Sequence, residues 1–440
     1  MATSTLATLL DRLSQRIGDY LEETVTTELT TSKVVICTDL ADYVNRDDFF
    51  NRQWLYVTDN TNIGAYRKIS DYDNSATQLT VLGANFAAET PVSTAKATFQ
   101  IHKYDRKNKI RAINIAARQT HPNLFRNIQN TELITGNVCP PFRFPTTSTL
   151  DFYAATNTAI AQTTSGSGLR GYGASAKLTN SAANGALEIH SDNYPPLLDL
   201  QGKSVDVKMW VYPENDNDIT ISINTGQADG TAQNLISTTT CKASKWTLLE
   251  LEDQALNDNL SSLYIKIVVA TNGAYAYIMP PRVIGLNFYD YLLPNVFDNG
   301  EVSRVYVQSS GDSDDPCDDI RPQHWSPIFG YEIIDDGTYK YLRLPTLSNN
   351  RQIKLIGTAP LEDDLSAVTS TMTIEDPHID LLIEYAAYAL FDIEAGLPSS
   401  QDRDFLRGEA MKYRMNYEDM KGRLRMVQTQ PLTRFDKRIV

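Results

Sequence analysis

The side chains able to do chemistry are spaced too widely to act together. The five histidines, His102, His121, His190, His324 and His378, stand singly. No HExxH, HxH or Glu-x-x-His spacing occurs, so no two imidazoles share a helix face, and metal-assisted hydrolysis has no ligand set. A GxSxG elbow and a Walker-type phosphate loop are missing, and no GxGxxG stands between a strand and a helix. The glycine-rich SGSGLRGYGAS (165–175) has no helix after it and reads as a loop. Cys37, Cys139, Cys241 and Cys317 lie about a hundred residues apart, which suggests isolated reduced thiols and neither a zinc site nor a disulfide framework.

Three other groups have a chemical reading beside a plainer one. GDSDDPCDD (311–319) gathers Asp312, Asp314, Asp315, Asp318 and Asp319, hard oxygens of the kind Ca²⁺ takes. It lacks the glycine and distal glutamate of an EF-hand loop, so a solvated acidic loop is the expectation, as for ENDNDIT (214–220). Trp210, Tyr212, Trp246, Tyr275 and Tyr277 lie in strand-like stretches, where an outward-facing ring can stack on a sugar. The same rings can fill a core. Trp210 sits within an alternating strand and Trp246 opens another, so most of the five are expected inside. A depolymerase would need two carboxylates set in a cleft, and the scattered acids nominate no pair. A protein without catalysis, cofactor or resident metal is expected.

Composition sets the class. Hydrophobic residues make up 42% and charged residues 21%, which is globular and not disordered. The net charge of −14 argues against general nucleic-acid binding. The balance is uneven, however: from Arg403 to Val440 there are ten Lys/Arg against five Asp/Glu, leaving thirty against forty-nine before them. That basic end is either a solvated helix face with a tail or a docking surface for an acidic partner or DNA phosphates. No run of ~18 apolar residues is found, and the N-terminus lacks the apolar core of a signal peptide. A soluble protein with no membrane partner, assembled in cytoplasm, is therefore expected.

Periodicity divides the chain. In 1–32 a helix is expected over 5–29, with Leu6, Leu9, Leu10, Leu13, Ile17, Tyr20 and Leu21 on one stripe. The period shortens in 33–103, where VVIC, WLYVTD, AYRKISDYD and TQLTVL suggest a small barrel-like module. A helix and connector fill 104–145, with Pro122 as the stop. The block 146–292 alternates at sandwich spacing through GKSVDVKMWVYP, DITISIN, WTLLELED and LYIKIVVA. Its ends can lie close together, as an insertion requires. More strands occupy 293–375. Then 376–427 forms a helical hairpin turned by AGLPSS, with a heptad-like seam over Leu406, Ala410, Tyr413, Tyr417, Met420, Leu424 and Val427. An unpatterned tail, 428–440, follows.

Two families come into view. KIRAINIAARQTHPNLFRNI and the ending PHIDLLIEYAAYALFDIEAGLPSSQDRDFLRGEAMKYRMNYEDMKGRLRMV resemble tailed-phage neck proteins and head-to-tail adaptors, over about half the chain. RGYGASAKLTNSAANGALEI, LLDLQGKSVDVKMWVYP and WTLLELED resemble jelly rolls of the carbohydrate-binding-module type. The resemblance implies an α+β multidomain fold: a helical adaptor core built from both termini, with the barrel-like module and the β-sandwich (jelly roll) inserted. It further implies a virion protein at the head–tail junction, forming a twelve-fold ring beneath the portal protein. Its partners would be further copies of itself, the portal, a tail or nozzle protein, genomic DNA in transit and, through the jelly roll, a host glycan. Arg434, Phe435, Lys437, Arg438 and Ile439 would dock the tail on the portal. Arg403, Arg407, Tyr413, Arg414, Tyr417, Lys421 and Arg425 would line the ring interface or channel. Trp210, Tyr212 and Trp246 would contact glycan. The alternative function is a carbohydrate-binding virion decoration acting through the jelly roll alone.

Overall fold

The computed structural model describes residues 3–27, 29–88, 96–163, 175–227, 232–309, 324–397 and 402–426. The chain folds as two compact units. Among the described residues, one comprises 3–126 with 360–426, the other 127–359.

In the first unit, α1 (Leu6–Arg16) begins where the Thr5 hydroxyl accepts a hydrogen bond from the Thr8 amide at 3.2 Å. It ends far short of residue 29. Gly18 takes φ +68°, a left-handed turn that glycine adopts without cost, and Leu21–Thr24 leaves as a strand. That strand joins an antiparallel six-stranded sheet in the order Leu21–Thr24, Thr98–His102, Trp54–Val57, Tyr66–Asp73, Gln78–Val81, Val34–Ile36. Past the two edge strands, the Thr26 amide donates to the Ile36 carbonyl at 2.8 Å, so the sheet curls towards closure around Leu55, Ile69, Tyr72, Leu79 and Phe99. After a short helix, α2 (Leu40–Tyr43), come α3 (Arg106–Gln119), capped by the Asp105 carboxylate on the Lys107 amide (2.8 Å), α4 (His378–Gly396) and α5 (Arg403–Leu424). Helices α1, α3, α4 and α5 share one apolar cluster, with α4 central and almost wholly buried.

Asp376, which precedes α4, accepts a hydrogen bond from Arg12, Nη2 to Oδ2 at 2.8 Å, and Pro377 takes the cap position.

The second unit is built around a two-sheet sandwich. One sheet runs Thr158–Thr163, Ser175–Asn180, Tyr275–Ile278, Ser204–Pro213, Thr247–Ala255, with Arg282–Ile284 also paired to Ser204–Pro213. The facing sheet runs Asn234–Ile236, Ile219–Gln227, Leu260–Val269, Gly185–His190, Tyr153–Thr156. Strict alternation explains the pairing. Val205, Val207, Met209 and Val211 point inward against Ile221, Ile223, Leu263, Ile265 and Ile267. Each such side chain contributes roughly 1.5–3 kcal/mol on burial. A second core in this unit, around Phe297, Val305, Leu342, Ile353 and Leu355, lies under two small sheets. One of these places Ile353–Ala359 between Glu301–Gln308 and Arg126–Asn130.

The expectation of a helical core bearing β additions is overturned. Strands hold 37% of the chain and helices 21%, so the β structure is the body of the molecule. Two misreadings account for it. The first helix is shorter than its apolar stripe, and 153–190 contributes four strands. Those strands are rich in Ala, Thr, Ser and Asn, small residues that signal turns in isolation; Tyr153–Thr156 and Thr158–Thr163 are sheet edges, paired to Gly185–His190 and Ser175–Asn180. No helix among the described residues is long and apolar enough to cross a membrane.

Candidate functional site

The outward face of the first sandwich sheet gathers the aromatic residues. In Ser204–Pro213 the alternation that sends Val207, Met209 and Val211 inward sends Lys208, Trp210 and Tyr212 outward. Tyr275 and Tyr277 do the same beside buried Ala276 and Ile278. None of the five aromatic residues is in the core. Trp210, Tyr212, Trp246, Tyr275 and Tyr277 are all half-buried, which corrects the expectation that most would be inside.

Register lines several of them up. Ala161 opposes Lys177, Lys177 opposes Tyr277, and Tyr277 opposes Tyr212. Val211 opposes Thr247, so Trp246, one residue earlier, continues the row beyond Tyr212. Ring centroids stand 5.7 Å apart for Tyr212 and Trp246, 5.9 Å for Tyr212 and Tyr277, and 5.5 Å for Tyr275 and Tyr277. The tilted and edge-to-face angles of 56°, 66° and 74° let each ring support the next. The Lys177 ammonium lies 4.5 Å from the Tyr275 ring centre and 5.8 Å from that of Tyr277.

Charge is unevenly distributed on this face. Lys208 is held by Glu252 at 2.9 Å and Glu250 at 3.3 Å. Among the described residues Lys177 pairs with no carboxylate. Burial, and then the carboxylate of Glu214, raise the Tyr275 hydroxyl above the usual tyrosine range, so it stays a neutral donor at physiological pH. The surface thus combines apolar ring area with hydroxyl and ammonium donors, the mixture a ligand with one apolar and one polar side requires.

Sequence reading named all five rings but missed Lys177. Its strand, SAKLTN, looks turn-like, and the available cue was buried Ala176 and Leu178 flanking it at strand period.

The α5 residues are placed differently. Tyr413 stacks on Phe391 at 5.4 Å and its hydroxyl donates to the Arg16 carbonyl at 3.2 Å. Tyr417 meets Tyr385 edge-on at 5.0 Å. Both are buried, and burial raises both hydroxyls. Arg403, Arg407, Arg414 and Arg425 are exposed, and half-buried Lys421 pairs with Glu418 at 3.2 Å. Arg434, Phe435, Lys437, Arg438 and Ile439, the acidic loop 311–319 with Cys317, and nearly all of the glycine-rich loop 165–175 lie outside the described residues.

Two other clusters could suggest chemistry. Ser14, Asp19, His102 and Lys109 meet in the first unit, with Lys109 Nζ 2.7 Å from Ser14 Oγ, 2.8 Å from Asp19 Oδ2 and 3.2 Å from His102 Nδ1. All four side chains are buried, which makes this a structural knot between α1, α3 and the sheet. Glu23, Cys37 and Asp39 bring three potential ligand atoms within 4.8 Å of one another. Burial raises the Cys37 thiol, which donates to the Thr24 carbonyl at 3.3 Å, so the metal-binding thiolate is disfavoured.

No family model matches the sequence, and no curated protein matches it. Among solved structures, the C-terminal family 22 carbohydrate-binding module of Clostridium thermocellum Xyn10B is 11% identical, covering 34% of this chain and 95% of its own at a TM-score of 0.28. The CBM22-1 xylan-binding domain of Paenibacillus barcinonensis Xyn10C is 13% identical, covering 35% and 97%, with a TM-score of 0.28. The enzymatically active domain of tailspike protein 4 of bacteriophage CBA120 is 11% identical, covering 36% and 21%, with a TM-score of 0.25. At these values the likeness concerns shape alone.

Proposed function

We propose that this chain binds carbohydrate, without catalysis, through the outward face of the first sandwich sheet. The observation that carries this reading is the row Lys177, Tyr277, Tyr212, Trp246, with Tyr275 beside it, held in register across neighbouring strands. A pyranose offers an apolar C–H face that lies on aromatic rings, and a rim of hydroxyls that takes hydrogen bonds from tyrosine and lysine. The adaptor reading loses its physical support. Its seam on α5 seemed to need neighbouring subunits, yet Leu406, Ala410, Tyr413 and Tyr417 are covered by the chain's own helices. A virion remains the setting that the resemblance of the helical ends suggests, and there the module would serve contact with a host glycan.

The full-length chain should be retained by at least one class of polysaccharide on a glycan array. Tyr212→Ala and Trp246→Ala should each weaken that retention roughly tenfold, with the unfolding midpoint little changed. Retention that both variants leave intact, or silence of the wild type across the array, would overturn the proposal.

A further inference from the structure

Resting on that reading, we infer that the face takes an acidic saccharide, a polymer of hexose rings bearing ring carboxylates. The charge at one end of the row points there. The chain as a whole carries −14, and the other lysine on this face is neutralised by Glu250 and Glu252. Lys177 alone is left with its ammonium against π faces and no carboxylate among the described residues. A ring face satisfies an ammonium only on one side, and the remaining N–H donors are directed elsewhere.

The surroundings decide the direction from which an anion arrives. On one side Lys177 is opposed by Tyr277, on the other by Ala161, which is exposed and offers only a methyl group. Ala159, opposite Thr179, is likewise exposed. A sugar seated on Tyr277 and Tyr212 therefore has a ring substituent free to reach Nζ over the alanine flank. A neutral sugar would use the rings and leave the ammonium with only a hydroxyl. A uronate would supply a charge-assisted hydrogen bond there. Lysine acts as a single point charge, so the anion is selected by position more than by a bidentate fork.

The test measures full-length chain against polygalacturonate, a neutral galactan and polyacrylate, which carries carboxylates without rings. Polygalacturonate should bind about tenfold more tightly than galactan, the difference one hydrogen bond to a charged group supplies. Lys177→Gln should erase the difference by weakening polygalacturonate about tenfold more than it weakens galactan, and Lys177→Arg should keep most of it. Added salt should weaken the polygalacturonate complex selectively. Equal binding of galactan and polygalacturonate, or a preference that survives in Lys177→Gln, would overturn the acidic specificity and leave carbohydrate binding standing. Polyacrylate binding as tightly as polygalacturonate would show charge attraction alone and overturn it too. Failure of both polysaccharides, together with silence on the array, would sink the underlying reading as well.

Discussion

His102 is the residue through which pH reaches the fold. It is buried, with Nδ1 3.0 Å from the Asp19 carbonyl oxygen and Nε2 3.2 Å from Gln100 Oε1. Burial, followed by the charge of Lys109, lowers its pKa from the ordinary 6.5 to about 4. Below pH 6.5 the unfolded chain takes up a proton that the folded chain refuses until about pH 4. The stability this residue confers is thus fully present above 6.5 and is lost as pH falls through that window. Urea midpoints should drop between pH 7 and pH 5 in the wild type, and drop less in His102→Gln. Parallel losses in the two proteins would contradict this. Lys177 shows a different limit at the same scale: a single lysine has no sequence signature, and its place beside the rings is set by another strand.

Among the elements, the pairing of Glu301–Gln308 with Ile353–Ala359 depends on an approach only glycine allows. A Cβ at Gly357 would stand 2.0 Å from the Glu301 carbonyl oxygen and 2.9 Å from Phe297 Cε1. The first is backbone and cannot swing away. Gly357→Ala should therefore cost about 2 kcal/mol or more, read as a lower unfolding midpoint, and a neutral result would mean the bulge between Val302 and Arg304 can absorb the methyl. The long sandwich strands were legible from sequence because β-branched and apolar residues alternate over eight or more positions, as in SVDVKMWVYP. YAAT and TAIAQT were not, since Ala and Thr carry little contrast between faces. The aromatic platform was half legible. Five rings could be named, but their facing out as one surface follows from register and from which face the valines claim. The α5 seam was seen as a pattern, and its partner was misjudged because α4 is apolar nearly all round and covers it.

For the molecule as a whole, separate cores predict separate melting. The helical cluster and the sandwich core share no residue and fall in different units. Calorimetry should show unfolding that is not two-state. Lys109→Met, which leaves the Asp19 carboxylate buried without its 2.8 Å partner, should lower one transition by the equivalent of about 3–5 kcal/mol and leave the other in place. A single transition that shifts as a unit would refute the division. The chain enters the second unit along Arg126–Asn130 and leaves it along Ile353–Ala359, hydrogen-bonded neighbours in one sheet, with the antiparallel bridge Ile134–Gln352 just beyond. A pull on the sandwich would therefore be shared by two parallel covalent tethers, so that it need not shear the ladder between them.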